Sequence, residues 1–277
     1  MSQSLAGRTA LLKLLPLSVV ELAADRREIG RDDCIFRGFM PGIHEAEIQP
    51  PRFYSSYYQT YVERDVRQFA NIRDLIAFET FVRLLAGRVG QLVNMSDLSN
   101  SVGLSSTTLT HWLGILEASF IVFRLPPYYE NFGKRLVKTP KIYFTEPALA
   151  AYLLGIRKAE QVGTNPALGG LFENLVVVEA AKAFYNKGEE PELYFFRDSH
   201  GLEADLLVRA QGGLWPVEIK ATRSFSPELS SSIARIRRLD PRLREGRLVY
   251  AGDREHEFQG THLINFRSMA TFIQSLL

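Results

Sequence analysis

Cysteine is nearly missing from the 277 residues. Cys34 stands alone, which excludes an intramolecular disulfide and a cysteine-cluster zinc site and points to the reducing cytoplasm. His44, His111, His200, His256 and His262 are scattered without HxxxH or HExxH spacing, so a histidine-held zinc is not expected. No GxSxG elbow occurs, and no GxxxxGK[ST] loop. Gly133-Lys134 lacks both the earlier glycine and the following Ser or Thr, so no phosphate cradle for ATP is expected. Long apolar runs are missing too. The stretch Ala10 to Leu22 is broken by Lys13, Pro16, Ser18 and Glu21, short of the roughly 20 apolar residues a membrane span requires. Arg8 and Lys13 run into that stretch rather than preceding it, unlike a secretion signal, and no membrane partner is expected. There is also no strong charge of one sign. A net charge of +2 identifies a nucleic-acid binder only if the basic residues cluster.

What is present is the composition of a globular chain, 46% hydrophobic and 23% charged. Thr9 to Leu17 reads as a buried strand. It leads into a short helix over Ser18 to Ala24, with Ser18 as N-cap and Glu21 at the third helical position. Gly30 to Pro51 is rich in Gly, Pro and charge and reads as a connector. From Phe53 to Ala70 the apolar and aromatic positions recur at three and four residues, as in an amphipathic helix, with Glu63, Arg64, Asp65 and Arg67 on its wet side. Phe78, Phe81, Val82, Leu84 and Leu85 form the apolar face of the next helix, which ends near Gly87 to Gly90. Asn94 or Ser96 caps a short helix through Val102, Gly103 supplies a left-handed turn, and Ser105 caps a helix through Ala118. That pattern is helix-turn-helix. The strand-like runs Phe120 to Leu125 and Lys141 to Thr145, joined by a polar loop, extend it to a winged helix.

The recognition helix offers Ser105, Ser106, Thr107, Thr108, Thr110 and His111 but no Arg or Lys, which makes it a weak reader of bases. The wing is basic, with Arg124, Lys134, Arg135, Lys138 and Lys141 against Glu130, and with Tyr128, Tyr129 and Phe132 interleaved. That composition suits a phosphate backbone, DNA above all. Packing or docking of a protein partner is the alternative use of the same motif.

After a short helix over Leu149 to Leu154 and a linker from Gly155 to Gly170, the order is helix Leu171–Tyr185, strands Leu193–Asp198, Glu203–Ala210 and Leu214–Ala221, helix Pro227–Leu239, strand Arg247–Gly252 and a closing helix Phe266–Leu277. Across the Gln211-Gly212-Gly213 turn, alternation puts Glu218 and Lys220 on one strand face, with Val217 and Ile219 on the other. Strand pairing brings Asp205, and Glu203 on the same face, beside them. Glu173 arrives from the preceding helix. Hard oxygen ligands of this kind hold Mg²⁺ or Mn²⁺, and a lysine offsets charge on a phosphodiester. Arg235, Arg237, Arg238, Arg242 and Arg244, over Ser232 to Arg244, are placed to flank a bound nucleic acid. The opposing reading of Asp205, Glu218 and Lys220 is a buried ion-pair network.

This pattern resembles the PD-(D/E)xK nuclease superfamily, whose core runs helix, three strands, helix, strand, with an acid on the second strand and ExK on the third. The resemblance implies Asp205, Glu218 and the Ile219 carbonyl as metal ligands, Lys220 as the catalytic lysine and Glu173 as the acid of the first helix. Ala204 stands where the superfamily's motif has proline. A second resemblance covers nearly the whole chain: Ser4-Leu-Ala-Gly-Arg8, Leu14-Leu-Pro-Leu-Ser18, Tyr61-Val-Glu-Arg-Asp-Val66, Leu116-Glu-Ala-Ser-Phe120, Asn131-Phe-Gly-Lys-Arg135, Leu171-Phe-Glu-Asn174 and Phe195-Phe-Arg-Asp198. These are similar to a prokaryotic family of AAA-type ATPases with a C-terminal domain of unknown function, whose ATPase part this sequence lacks. The expected fold is α+β, with residues 1–50 an ATPase-end segment and connector, 51–155 a helical and winged-helix domain, and 166–277 a restriction-endonuclease-like α/β domain. The expected function is a metal-dependent nuclease, or else a non-catalytic DNA- or protein-binding module on an inactive scaffold.

Overall fold

The computed structural model describes residues 12–24, 29–46, 48–66, 72, 74–129 and 137–277. Ser18 caps α1 (Val19–Ala23) through the Glu21 amide, and the Glu21 carboxylate returns to the Ser18 amide, completing the expected box. The segment ahead of it is not a buried strand. Over its described part Leu12 is 68% and Leu14 87% exposed, and among the described residues no strand pairs with them. Thr9 to Leu11 lie outside the described residues.

The supposed connector is also corrected, because it is helical: α2 (Arg31–Arg37), α3 (Pro41–Glu45) and the start of α4 (Pro50–Tyr57). Its glycines and prolines mark helix ends. Pro41 and Pro50 sit in first turns, where a missing N–H costs nothing, and Gly38 closes α2 at φ +70. A Cβ at Gly38 would also stand 2.1 Å from a Glu146 carboxylate oxygen, so the position excludes side chains twice over. Beyond α4 the chain continues as a π-helical stretch, Tyr58–Val66. The predicted remainder, Arg67 to Ala70, lies outside the described residues.

Asp74 caps α5 (Leu75–Ala86), whose Phe78, Phe81, Val82 and Leu85 are fully buried. Asn94 caps α6 (Met95–Val102), Gly103 turns at φ +79, and Ser105 caps α7 (Ser106–Ala118). Strands β1 (Val122–Leu125) and β2 (Lys141–Phe144) then pair antiparallel. The turn after α5 lies on the other edge of β2, with the Gly90 amide donating to the Ile142 carbonyl and Ile142 to Gln91. After α8 (Pro147–Leu153) comes the long buried helix α9 (Leu168–Tyr185).

The rest is a six-stranded sheet in the order β3 (Leu193–Arg197), β4 (Glu203–Ala210), β5 (Gly213–Lys220), β6 (Gly246–Tyr250), β8 (Thr261–Asn265), β7 (His256–Phe258). Strands β3, β4 and β5 form an antiparallel meander, while β6 joins β5 in parallel and β8 joins β6 in parallel. Short α10 (Ser231–Ile236) connects β5 to β6, and α11 (Met269–Leu276) closes the chain against α9. The hairpin β7–β8 was not anticipated. Its signal was Gln259-Gly260, both at positive φ, a turn that suits tightly joined strands. One apolar cluster runs from Val19 through Phe78, Leu116, Phe144 and Phe172 to Leu276, so both halves of the chain share a core. The architecture is mixed helix and sheet, as the patterning implied.

Candidate functional site

Strands β4 and β5 separate at one end, and this fork makes the site. Their pairing runs from Ala210↔Gly213 to Leu206↔Val217 and stops there. Beyond it the Asp205 side chain replaces the missing strand partner, its Oδ2 accepting the Ile219 amide at 2.8 Å. A bulge beside this point sharpens the bend: Tyr194 faces Leu207 but Phe196 faces Ala204, a step of three on β4 against a step of two on β3. Side-chain alternation breaks there. Leu206 and Val208 join the main core while Ala204 and Leu207 join a smaller one with Ile236 and Leu243.

Glu218 and Lys220 share one face of β5, opposite Val217 and Ile219 in the main core, as alternation required. The Lys220 Nζ lies 2.5 Å from Glu218 Oε1 and 3.6 Å from Asp205 Oδ2. Ser232, on α10, donates its hydroxyl to Glu218 Oε2 at 2.8 Å. Burial, and then the neighbouring Asp205, push the Glu218 carboxyl up to about 7, against the pull of Lys220 and Ser232. Burial works to lower the Lys220 pKa, but Asp205 and Glu218 outweigh it and raise it. Lys220 is therefore an ammonium at neutral pH, a charge donor rather than a base.

A second lysine enters from β2. Lys141, at the start of β2, was expected on the wing surface facing phosphate. It is instead 3% exposed, with Nζ 2.8 Å from Glu173 Oε1, 2.7 Å from Glu203 Oε1 and 3.9 Å from Asp205 Oδ1. The reason is the pairing of β2 with β1 and the 90–93 turn, which aims Lys141 inward over the Phe195 ring. Burial opposes its charge, but Glu173, Asp205 and Glu203 together raise its pKa. Glu173 Oε1 also accepts the Tyr143 hydroxyl at 2.6 Å. Burial and the charge on Asp205 push Glu173 up to about 7 even so. Arg197 reaches Glu203 from the rim at 3.5 Å.

The donor set is chemically suited to Mg²⁺ or Mn²⁺, being carboxylate and backbone oxygen. Asp205 and Glu218 share one cationic neighbour in Lys220, whose ammonium lies against an oxygen of each. Among the described residues no group of three His, Cys, Asp or Glu stands where it could hold a metal. Lys141 is the physical reason, since its ammonium draws Glu173 and Glu203 to itself. Sequence reasoning placed Lys141 in the wrong role and missed Tyr143 and Ser232, because nothing local to those residues signals a neighbour on another element.

The other basic positions divide. Arg124 is paired with Glu117 at 2.7 Å, and Lys138, Arg235 and Arg238 are exposed, while Lys134 and Arg135 lie outside the described residues. Tyr128, expected to be available for stacking on bases, is buried against Tyr194, whereas Tyr129 is 57% exposed. Arg242 is held by Asp240 at 2.9 Å. The basic helix predicted over Ser232 to Arg244 ends at Ile236.

Comparison with known proteins gives two domain types in succession, both of unknown function. DUF8612 matches residues 30–160, and DUF4143 matches residues 168–269. The second is typically found after AAA-type ATPase domains. Uncharacterized proteins of Mycobacterium tuberculosis and Mycobacterium bovis are each 31% identical over 259 residues, covering 93% of this chain and 56% of theirs. An uncharacterized protein of Haemophilus influenzae is 26% identical over 197 residues, covering 66% of this chain and 47% of its own. The chain thus spans about half the length of the curated relatives it matches. No solved structure matches it. Among the described residues no helix is long and apolar enough to cross a membrane.

Proposed function

We propose that the C-terminal half is a PD-(D/E)xK-type nuclease domain acting on DNA with Mg²⁺ or Mn²⁺, and that α6, α7, β1 and β2 form a winged helix serving it. The observation that carries this reading is the fork, where Asp205 and Glu218 converge on Lys220 at the open end of β4 and β5. The order α9, three-stranded meander, α10, parallel β6 supports it, since this is the element order of that superfamily. Asp205 and Glu218, with the Ile219 carbonyl, would hold the cation. A divalent ion bound there lowers the pKa of water and offsets charge on a phosphodiester. Lys220, at 36% side-chain exposure the most open charged group of the fork, meets the phosphate. Ser232 fixes the Glu218 carboxylate. Arg235, Arg238 and Lys138 supply exposed charge for the nucleic-acid backbone. On α7, the exposed Ser106, Thr107 and His111 face solvent for contact with DNA.

Purified protein incubated with plasmid, linear, single-stranded and branched DNA in Mg²⁺ or Mn²⁺ tests the reading. Cleavage is expected in the wild type and is expected to fall by about two orders of magnitude or more in Glu218→Ala and Lys220→Ala. Equal activity in all three proteins would refute it.

A second reading has its own observation. The Lys141 ammonium seated on Glu173 and Glu203, and the missing three-acid group, are what an inactive nuclease-like scaffold binding DNA or a protein would show. In that case Mn²⁺ neither binds nor shifts the melting temperature.

A further inference from the structure

We infer that Lys141 is a positioning residue of this site, a tethered cation from β2 that sets how tightly the fork holds its divalent ion. The inference rests on the reading of Asp205 and Glu218 as metal ligands. Lys141 is almost fully buried, yet a lysine has every reason to remain at a surface unless something inside repays its lost hydration. What it meets is a set of carboxylates. Glu173 and Glu203 lie within hydrogen-bond distance, and Asp205 is just beyond it at 3.9 Å. The contact is built from both sides. Gly90 sits in the turn beside β2, where a Cβ would stand in van der Waals contact with the Glu173 carboxylate at 3.4 Å, and Tyr143 holds the same Glu173 oxygen that Lys141 holds. Lys141 therefore does two things to Asp205. It ties up the neighbouring acids that would otherwise complete a third ligand, and it places a positive charge beside the carboxylate that a divalent cation would have to approach. At such separations, in partly buried surroundings, like charges repel strongly enough to change a binding constant by an order of magnitude or more.

The consequence is a prediction opposite to that for an ordinary structural residue, whose loss weakens binding. Removing the Lys141 charge should tighten Mn²⁺ binding. The measurement is a Mn²⁺ titration of the full chain followed by electron paramagnetic resonance, with wild type, Lys141→Gln, Lys141→Met, Lys141→Arg and Asp205→Asn side by side. Lys141→Gln keeps N–H donors for the two glutamates, and Lys141→Met keeps most of the length of the apolar stem, so the variants stress the fold differently. Circular dichroism confirms that each is folded. Lys141→Gln or Lys141→Met is expected to bind Mn²⁺ at least about tenfold more tightly than wild type, or to bind one further equivalent. Lys141→Arg, which retains the charge, is expected to bind as wild type does.

A folded Lys141→Gln or Lys141→Met that binds Mn²⁺ no better than wild type, while Asp205→Asn abolishes binding, overturns this inference and leaves the metal site standing. Absence of Mn²⁺ binding in wild type and the charge-removing variants overturns the metal site, and the inference with it. Tighter binding in both Lys141→Arg and Lys141→Met would also overturn it, because the effect would then follow from disturbed packing rather than from charge.

Discussion

Replacing Asn174 by alanine should separate the two halves of the shared core more effectively than loss of any comparably small side chain. Asn174 lies in the middle of α9 and is fully buried. Its Oδ1 accepts the Phe144 amide at 2.7 Å and its Nδ2 donates to the Phe144 carbonyl at 2.9 Å. One amide side chain thus takes the place of a strand along β2, joining it to α9. Alanine would leave a backbone N–H and a backbone C=O buried without partners, at about 1 to 3 kcal/mol each. The expected loss is about 3 to 4 kcal/mol, because some water enters the small gap. That corresponds to a melting temperature lower by about 6 to 16 °C for a chain of this size. Urea unfolding followed by circular dichroism at pH 7 measures it. Asn174→Asp should cost at least as much at neutral pH, since it keeps the acceptor but turns a negative oxygen toward the Phe144 carbonyl. It should recover partly in acid, where a protonated carboxyl again donates. A loss below about 1 kcal/mol in Asn174→Ala, with an unchanged denaturant slope, would refute the reasoning.

Three further outcomes follow from the same geometry. Burial pushes Glu146 up to about 7 from the usual carboxylate value of 4.5, with the Phe39 and Ala148 amides only partly offsetting it. Because the folded state binds this proton more tightly than the unfolded chain does, the contribution is full below about pH 4.5 and is lost as pH rises to about 7. The unfolding free energy should fall over that window by up to about 3 kcal/mol for this one group, and Glu146→Gln should flatten the fall in pH-dependent denaturation. Gly170→Ala would bring a Cβ to 2.4 Å from the Val89 carbonyl oxygen, backbone against side chain with nothing flexible to yield. A loss of about 1 to 3 kcal/mol is expected by thermal melting, and a stability equal to wild type would contradict that packing. Arg235→Ala and Arg238→Ala should each weaken DNA binding about uniformly across sequences and reduce the slope of log K against log salt by about one. An unchanged slope in filter binding would remove them from the interface.

Caps and periodicity made the middle of the chain legible before any coordinates. Asn94, Gly103 and Ser105 mark the helix ends at which they are read. The strand Glu203–Ala210 begins and ends where it is expected. These features are local, settled by groups within a few residues of one another. Gly and Pro between residues 30 and 51 misled for an instructive reason: the same residues that break helices also begin and end them, and three short helices in succession resemble a loop in composition. The hairpin β7–β8 was missed because its strands are short, although Gln259-Gly260 marked the turn.

The chain's own pattern determined that Glu218 and Lys220 share a face and that Asp205 arrives on a neighbouring strand, because a strand's side chains alternate whatever surrounds them. It determined too that the sequence holds a single cysteine and no GxxxxGK[ST] motif. Only the tertiary structure decided that β4 and β5 part beyond Leu206 and Val217, so that Asp205 caps the Ile219 amide. It also decided that Lys141, a basic residue in a basic stretch, turns inward to three acids rather than outward to solvent. The physical reason is that a charge takes its role from the charges and the water around it, and for Lys141 those come from α9 and β4, some 30 or more positions away along the chain.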